Sequence, residues 1–201
     1  MMSRTHYAIG MATALAILPT HTPIDCAVVL AGGAIGGVLA DVDILNDDYK
    51  HDALIGELLA FGTVGCTILL DFLFGKQYIT SVLTSSTLSI IGLLGFAVLW
   101  VVGFITDHRT FTHSVLAMLL FSFSLALIQF RFGIACLAGY ASHLVLDLLN
   151  KKGMQLLFPL RYRMCLKLFY ADKTANTVFM ILGFVVTIAL LFFKIVIVKM
   201  I

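Results

Sequence analysis

Apolar runs separated by short polar stretches set the rhythm of this chain. Seven runs read as helices: residues 5–18, 24–40, 53–74, 82–105, 113–130, 132–150 and 175–198. A helix that crosses a bilayer needs about 20 mostly apolar residues, with a range of about 17–25. Most of the runs meet that length, and the run at 5–18 is short. The pattern predicts an all-α fold, a polytopic membrane helix bundle of about seven transmembrane segments, forming one integral domain over residues 1–201. In the second run, Gly32, Gly33, Gly36 and Gly37 make two overlapping small-x-x-x-small pairs, which let helix backbones approach closely in lipid. Thr112 or Ser114 is the expected N-cap of the fifth run, and Gly153 the expected stop after the sixth. Residues 151–174 break the pattern. Leu160-Arg161-Tyr162-Arg163-Met164 alternates without a helical period, so this segment is expected to lie at the cytoplasmic membrane surface.

Composition agrees with a lipid-facing chain. Of 201 residues, 61% are hydrophobic and 12% charged, against about 25% charged in a soluble domain. The net charge of +2 and the lack of a basic stripe interleaved with aromatics exclude a nucleic-acid partner. Cys26, Cys66, Cys136 and Cys165 are widely spaced and read as isolated thiols. The first run has Arg4 and apolar residues from Tyr7 to Leu18, as a secretory signal does. However, Pro19-Thr20-His21-Thr22-Pro23 follows where a small-x-small cleavage site is needed, so an uncleaved helix is expected.

Alternating crossings carry most of the polar residues to one side of the membrane. The N-terminus, Asp41, Asp43, His108, His113, His143 and Asp147 fall there, and five of the six histidines lie on that side or just inside it. The same side receives nine Lys/Arg (Arg4, Lys50, Arg109, Lys151, Lys152, Arg161, Arg163, Lys167, Lys173), and the far side four (Lys76, Arg131, Lys194, Lys199). An excess of Lys/Arg marks the cytoplasmic side. The expectation is a cytoplasmic N-terminus, an outside C-terminus and a site that faces the cytoplasm.

Several of these residues can carry chemistry. His143 and Asp147 are four apart and share a helix face, so they can bind one metal ion or pair with each other. Ionisable groups at membrane depth are costly and mark function by default; the competing reading is an interhelical hydrogen bond. His108 and His113 straddle a loop–helix junction, where a bend can aim both inward. Asp41 and Asp43 follow a helix C-terminus, whose dipole disfavours carboxylates, so a cation should compensate; a divalent ion or Lys50 would do. His6 lies one turn into the first run, where packing alone is an equally ordinary role. Arg109 cannot ligate a metal, but its fork can hold a phosphate or a lipid headgroup. Glu57 is a candidate supporting residue, whereas Asp47, Asp48, His51, Asp52 and Asp107 read as solvated charges.

The candidate metal ligands are therefore His6, Asp41, Asp43, His108, His113, His143 and Asp147, with Asp43, Arg109 and Asp147 as candidate catalytic groups. This set of His and Asp without thiolate suits a divalent metal: zinc first, with manganese or magnesium as alternatives, as one or two ions.

At these positions the chain resembles the YdjM-like family of membrane-bound, predicted metal-dependent hydrolases. The resemblance rests on Thr5-His6, Asp41-Val42-Asp43, His108-Arg-x-x-Thr-His113-Ser114, Gly139-Tyr-x-Ser-His143-x-x-x-Asp147, and Gly153 with Leu156-Leu157-x-Pro159. It departs at Ala40, where a proline is expected. The resemblance implies hydrolase activity in a bacterial inner membrane, and His-x-x-x-Asp also looks like a helical ligand motif of zinc-dependent phospholipase C. The resulting expectation is hydrolysis of a lipid ester or phosphoester by metal-activated water at the cytoplasmic leaflet, with membrane lipids as partners. The alternatives are a transporter or metal/proton pathway, and a structural or regulatory membrane protein with a metal staple.

Overall fold

A computed structural model describes residues 1–44, 50–74, 87–168 and 173–198. Among these residues there are seven α-helices and no strand: α1 (Ser3–Ile17), α2 (Pro23–Val38), α3 (Lys50–Leu73), α4 (Thr87–Ile105), α5 (Val115–Ile128), α6 (Phe130–Leu149) and α7 (Lys173–Val198). A 3₁₀ turn, Leu39–Asp43, continues α2 and carries Asp41 and Asp43. Asp47, Asp48 and the expected helix start at 82–86 lie outside the described residues.

Among the described residues, five spans are long and apolar enough to cross a membrane: Pro23–Asp43, Lys50–Leu73, Thr87–Ile105, Phe130–Leu149 and Thr174–Val196. With 15 and 14 residues, α1 and α5 are shorter, about 22 Å at 1.5 Å per residue. Both nevertheless run between the two ends of the bundle. The far end gathers the C-terminus of α1, the start of α2, the α5–α6 junction and the C-terminal part of α7. There Arg131 pairs with Asp25 at 2.5 Å and donates to the Pro19 carbonyl, and Lys194 donates to the Leu18 carbonyl at 2.7 Å. The opposite end gathers the N-terminus of α1, the turn after α2, the loop between α4 and α5, the C-terminus of α6 and the start of α7.

The centre of the bundle is α2, clasped between α1 and α6. A methyl group added at Gly10 or Gly139 would collide with the Gly33 carbonyl, at Gly37 with the His6 carbonyl, and at Gly36 with the Cys136 carbonyl. Gly33 and Gly37 thus admit α1, and Gly32 and Gly36 admit α6, by the small-residue packing that lipid favours. These seams set how near His6, the Asp41–Asp43 turn and His143 come to one another. Outside the trio, α3, α4 and α7 expose rows of Leu, Ile and Phe, such as Leu58, Leu94, Val101, Ile188 and Phe192. In a membrane protein that surface is solvated by acyl chains.

The starts of α2 and α5 follow local chemistry, whereas the start of α1 and the end of α6 do not. Thr22 and Ser114 accept from the amides of Asp25 (3.2 Å) and Ala117 (3.1 Å), and Pro23 opens α2. Ser114 is therefore the cap of α5. The end of α6 corrects the expectation for Gly153: the helix ends at Leu149, and Asn150 is already extended (ψ 163°). Two of its last carbonyls, Leu148 and Leu149, are then satisfied by the amides of Leu166 (2.7 Å) and Leu168 (3.0 Å). At α1 no local side chain caps the helix. Asn176 of α7 accepts from the Met2 amide at 2.8 Å, and Asp52 of α3 accepts from the Ser3 amide at 2.6 Å and pairs with Arg4. Asp52 is buried, which corrects its reading as a solvated charge. His51 and Asp107 are exposed and Glu57 is half-buried.

Candidate metal centre

The site forms where α1, the 3₁₀ turn, the α4–α5 loop and α6 meet. His6 comes from the second turn of α1, and His143 and Asp147 from one face of α6. Asp41 and Asp43 come from the turn, and His108, Arg109 and His113 from the loop. His6, His113 and His143 have no exposed surface, and Asp41, Asp43 and Asp147 are buried. His108 is the most open of the set, with 33% of its side chain exposed. All seven expected ligand residues lie in this one cluster.

Nitrogen and oxygen atoms converge at its centre. His6 Nε2 lies 3.4 Å from Asp147 Oδ1, and His113 Nε2 lies 3.5 Å from Asp147 Oδ2 and 3.8 Å from Asp41 Oδ1. His143 Nε2 lies 3.6 Å from Asp41 Oδ1, and the rings of His6 and His143 stack at 3.7 Å. Donor atoms at the corners of a tetrahedron about 2.0–2.1 Å from a zinc ion would be about 3.4 Å apart. The observed spacings of 3.4–3.8 Å are those of neighbouring ligands around a cation. Three overlapping groups have suitable atoms within 4.8 Å of one another: His6/His143/Asp147, Asp41/His113/His143 and Asp43/His108/His113.

Hydrogen bonding shows which atoms are free. His143 Nδ1 donates to the Gly37 carbonyl at 2.8 Å. A carbonyl only accepts, so the proton sits on Nδ1 and Nε2 keeps its lone pair. His113 Nδ1 lies 3.5 Å from Asp43 Oδ2 and 3.2 Å from the Thr112 hydroxyl. His6 Nε2, His113 Nε2, His143 Nε2 and Asp41 Oδ2 are buried without a hydrogen-bond partner among the described residues. Such groups are rare in folded proteins because each forgoes its hydration. Their clustering beside Asp41 Oδ1 and Asp147 gives this region the character of a cation site.

Asp43 sits behind this group. It accepts from the Thr112 hydroxyl (2.5 Å) and the Arg109 amide (3.2 Å), and pairs with His108 Nδ1 at 2.6 Å. Arg109 has φ 66°, a left-handed conformation that a non-glycine residue holds only when its surroundings impose it. Four contacts do so. Its amide reaches Asp43, its carbonyl accepts from Gln155 at 3.0 Å, Nη2 donates to Asp147 at 2.9 Å, and Nη1 donates to the Lys152 carbonyl at 2.7 Å. The Met1 amino group lies 2.7 Å from Asp147 Oδ1. Three buried carboxylates thus face one guanidinium and one amino group. Burial opposes a charge on His113, but Asp147 and Asp43 outweigh it and raise this imidazole to about 9. The centre is built to hold positive charge.

Four contributors were not assigned to the site from the sequence. Tyr140 donates to the Thr112 carbonyl at 2.5 Å and steadies the loop. Its position three residues before His143, on the same helix face, was a usable signal. Thr112, the Gly37 carbonyl and Asp52 act through contacts between distant parts of the chain, which leave no local trace.

The whole chain, residues 1–201, matches the family model described as YdjM inner membrane protein, and the chain belongs to that family. The uncharacterized protein YvsG of Bacillus subtilis (strain 168) is 41% identical over 71 residues. That match covers 34% of this chain and 44% of YvsG, so the chain spans less than half the length of this curated relative. No solved structure matches.

Proposed function

We propose that this member of the YdjM inner membrane protein family is a metal-dependent hydrolase acting on an ester or phosphoester of a membrane lipid. The observation that carries the reading is the set of three buried histidine Nε2 atoms, on His6, His113 and His143, that converge with Asp41 and Asp147 and have no hydrogen bond. These five residues would hold one or two ions, zinc by ligand type, with manganese or magnesium as alternatives. A divalent ion there supplies Lewis-acid activation of water and of the substrate oxygen.

The remaining roles follow from the hydrogen bonds. Asp43 is saturated by Thr112, Arg109 and His108, so it serves best as the outer carboxylate that orients His113. Asp41 Oδ2 has no such partner and is the oxygen best placed to take a proton from the attacking water. Water oxygen joins the acyl carbon or the phosphorus, and the proton passes through Asp41 to the departing alcohol. Arg109 holds Asp147 and stands between the centre and the exposed residues Lys151 and Lys152, where an anionic substrate would approach. The Lys/Arg excess at this end supports a cytoplasmic orientation.

Burial favours a second reading. Structural ion sites are closed, while catalytic ones keep an open position, and five of these ligands have almost no exposed surface. A metal staple without turnover fits that closure. The test is hydrolysis of a phospholipid and lipid-phosphate panel by purified, metal-loaded protein, beside Asp41→Asn. Turnover by wild type that is at least about 100-fold weaker in the variant, at metal concentrations that saturate both proteins, supports the enzyme. Absence of turnover across the panel, with metal removal melting the bundle, supports the staple.

A further inference from the structure

We infer that residues 151–168 form a strap that binds the anionic headgroups of the leaflet on the site side, next to the metal centre. From Leu148 to Ala171 the chain has no Asp or Glu but carries Lys151, Lys152, Arg161, Arg163 and Lys167. Arg161, Arg163 and Lys167 are exposed. Leu157, Leu160, Tyr162, Leu166 and Leu168 are exposed between them, with Tyr162 at 68% and Leu168 at 69%. Leu160 and Tyr162 alternate along the chain with Arg161 and Arg163, and all four are exposed. Apolar and basic side chains displayed together suit the boundary between acyl chains and phosphate headgroups.

The strap is held in place. Met154 and Met164 exchange backbone hydrogen bonds at 3.1 and 2.9 Å, and Met154 is fully buried. The Gln155 amide donates to the Arg109 carbonyl at 3.0 Å, and the Val115 amide to the Leu156 carbonyl at 3.0 Å. Leu166 and Leu168 close the end of α6, and Phe158 packs edge-on to Phe111 at 5.7 Å. The exposed apolar and basic residues are thus displayed on an anchored scaffold beside Arg109. Charge complementarity selects the occupant. Each Lys or Arg near an anionic surface contributes about 1 kcal/mol, about fivefold in affinity. This surface would concentrate phosphate-bearing lipid where the proposed hydrolase reading needs substrate, but lipid selection requires neither metal nor turnover.

The experiment is native mass spectrometry of the full chain equilibrated with mixed micelles holding equal phosphatidylglycerol and phosphatidylcholine. Wild type should retain phosphatidylglycerol at least about fivefold over phosphatidylcholine, with the preference falling as salt rises. Arg161→Ala/Arg163→Ala/Lys167→Ala should bring the ratio near one, and Arg131→Ala/Lys194→Ala at the far end should leave it unchanged. His113→Ala should keep the preference while losing metal, so failure of the hydrolase reading would leave this result intact. No preference in wild type, as expected if the strap instead meets an acidic protein, overturns the inference. So does a salt-independent preference, a reading on wild type that does not depend on how the triple variant folds.

Discussion

The two ends of the bundle both hold charge, and they hold it differently. At the far end Arg131 and Asp25 pair one to one, with 37% and 15% of their side chains exposed, and Lys194 meets the Leu18 carbonyl. At the site end three buried carboxylates share one guanidinium and one amino group, and four imidazole nitrogens (both of His6, and Nε2 of His113 and His143) have no hydrogen-bond partner among the described residues. At the far end Arg131, Asp25 and Lys194 each meet a partner that closes one helix end on another. The site end is left unsatisfied, and an arrangement that forgoes so much hydration persists where something else is meant to bind. Unsatisfied imidazoles and carboxylate oxygen, more than the presence of ionisable residues, distinguish the site end.

The largest break in this comparison is Asp147→Ala. It removes a ligand and strands Arg109, so metal affinity should fall by at least about 1,000-fold; losing one partner of a buried pair typically costs about 3–5 kcal/mol. Isothermal titration with zinc and thermal melts check both effects. Asp43→Asn comes next. It leaves the inner atoms but disturbs the carboxylate behind His113, and affinity measured the same way should drop about 10–100-fold.

Acidity gives an effect of about tenfold per pH unit. His113 is raised to about 9 from an ordinary 6.5, so in the metal-free protein it carries a proton that a metal must displace. Zinc affinity should rise with pH up to about 9, with one proton released per ion from His113, measurable by titration in buffers of different ionisation enthalpy. The sign reverses for the metal-free fold. A protonated His113 stabilises it fully below about 6.5, and that contribution fades as pH rises through about 9. Metal-free melting temperature should therefore decline across that interval.

Smaller effects come from the α1 cap. Asp52→Ala should weaken metal binding a few-fold by loosening the turn that presents His6, and it should have no further effect in a His6→Ala background. The smallest belongs to the far end. Arg131→Ala should leave metal binding unchanged and cost about 0–1 kcal/mol, as exposed ion pairs do.

Much of this could be read from the chain. Seven apolar runs located seven helices, because the lipid-facing stretches tolerate no charge. His6, Asp41, Asp43, His108, His113, His143 and Asp147 stood out because polar groups are scarce at that depth, and helical alternation brings them to one end. The failures share a physical cause. Asp52 and Asn176 cap α1 from 49 and 174 residues away, so no capping pattern is visible around Ser3. The end of α6 depends on amides of the strap, not on Gly153. The role of Asp43 depends on Thr112 and the Arg109 amide, partners that only the folded loop supplies.

Metal stoichiometry tests the central claim most directly. Mass spectrometry should find one to two divalent ions per chain in the detergent-purified protein, and loss of metal from His113→Ala and from Asp147→Asn while Arg131→Ala keeps it. A well-folded wild-type protein that stays metal-free after incubation with zinc and manganese would contradict the account, as would metal retained undiminished in both site variants.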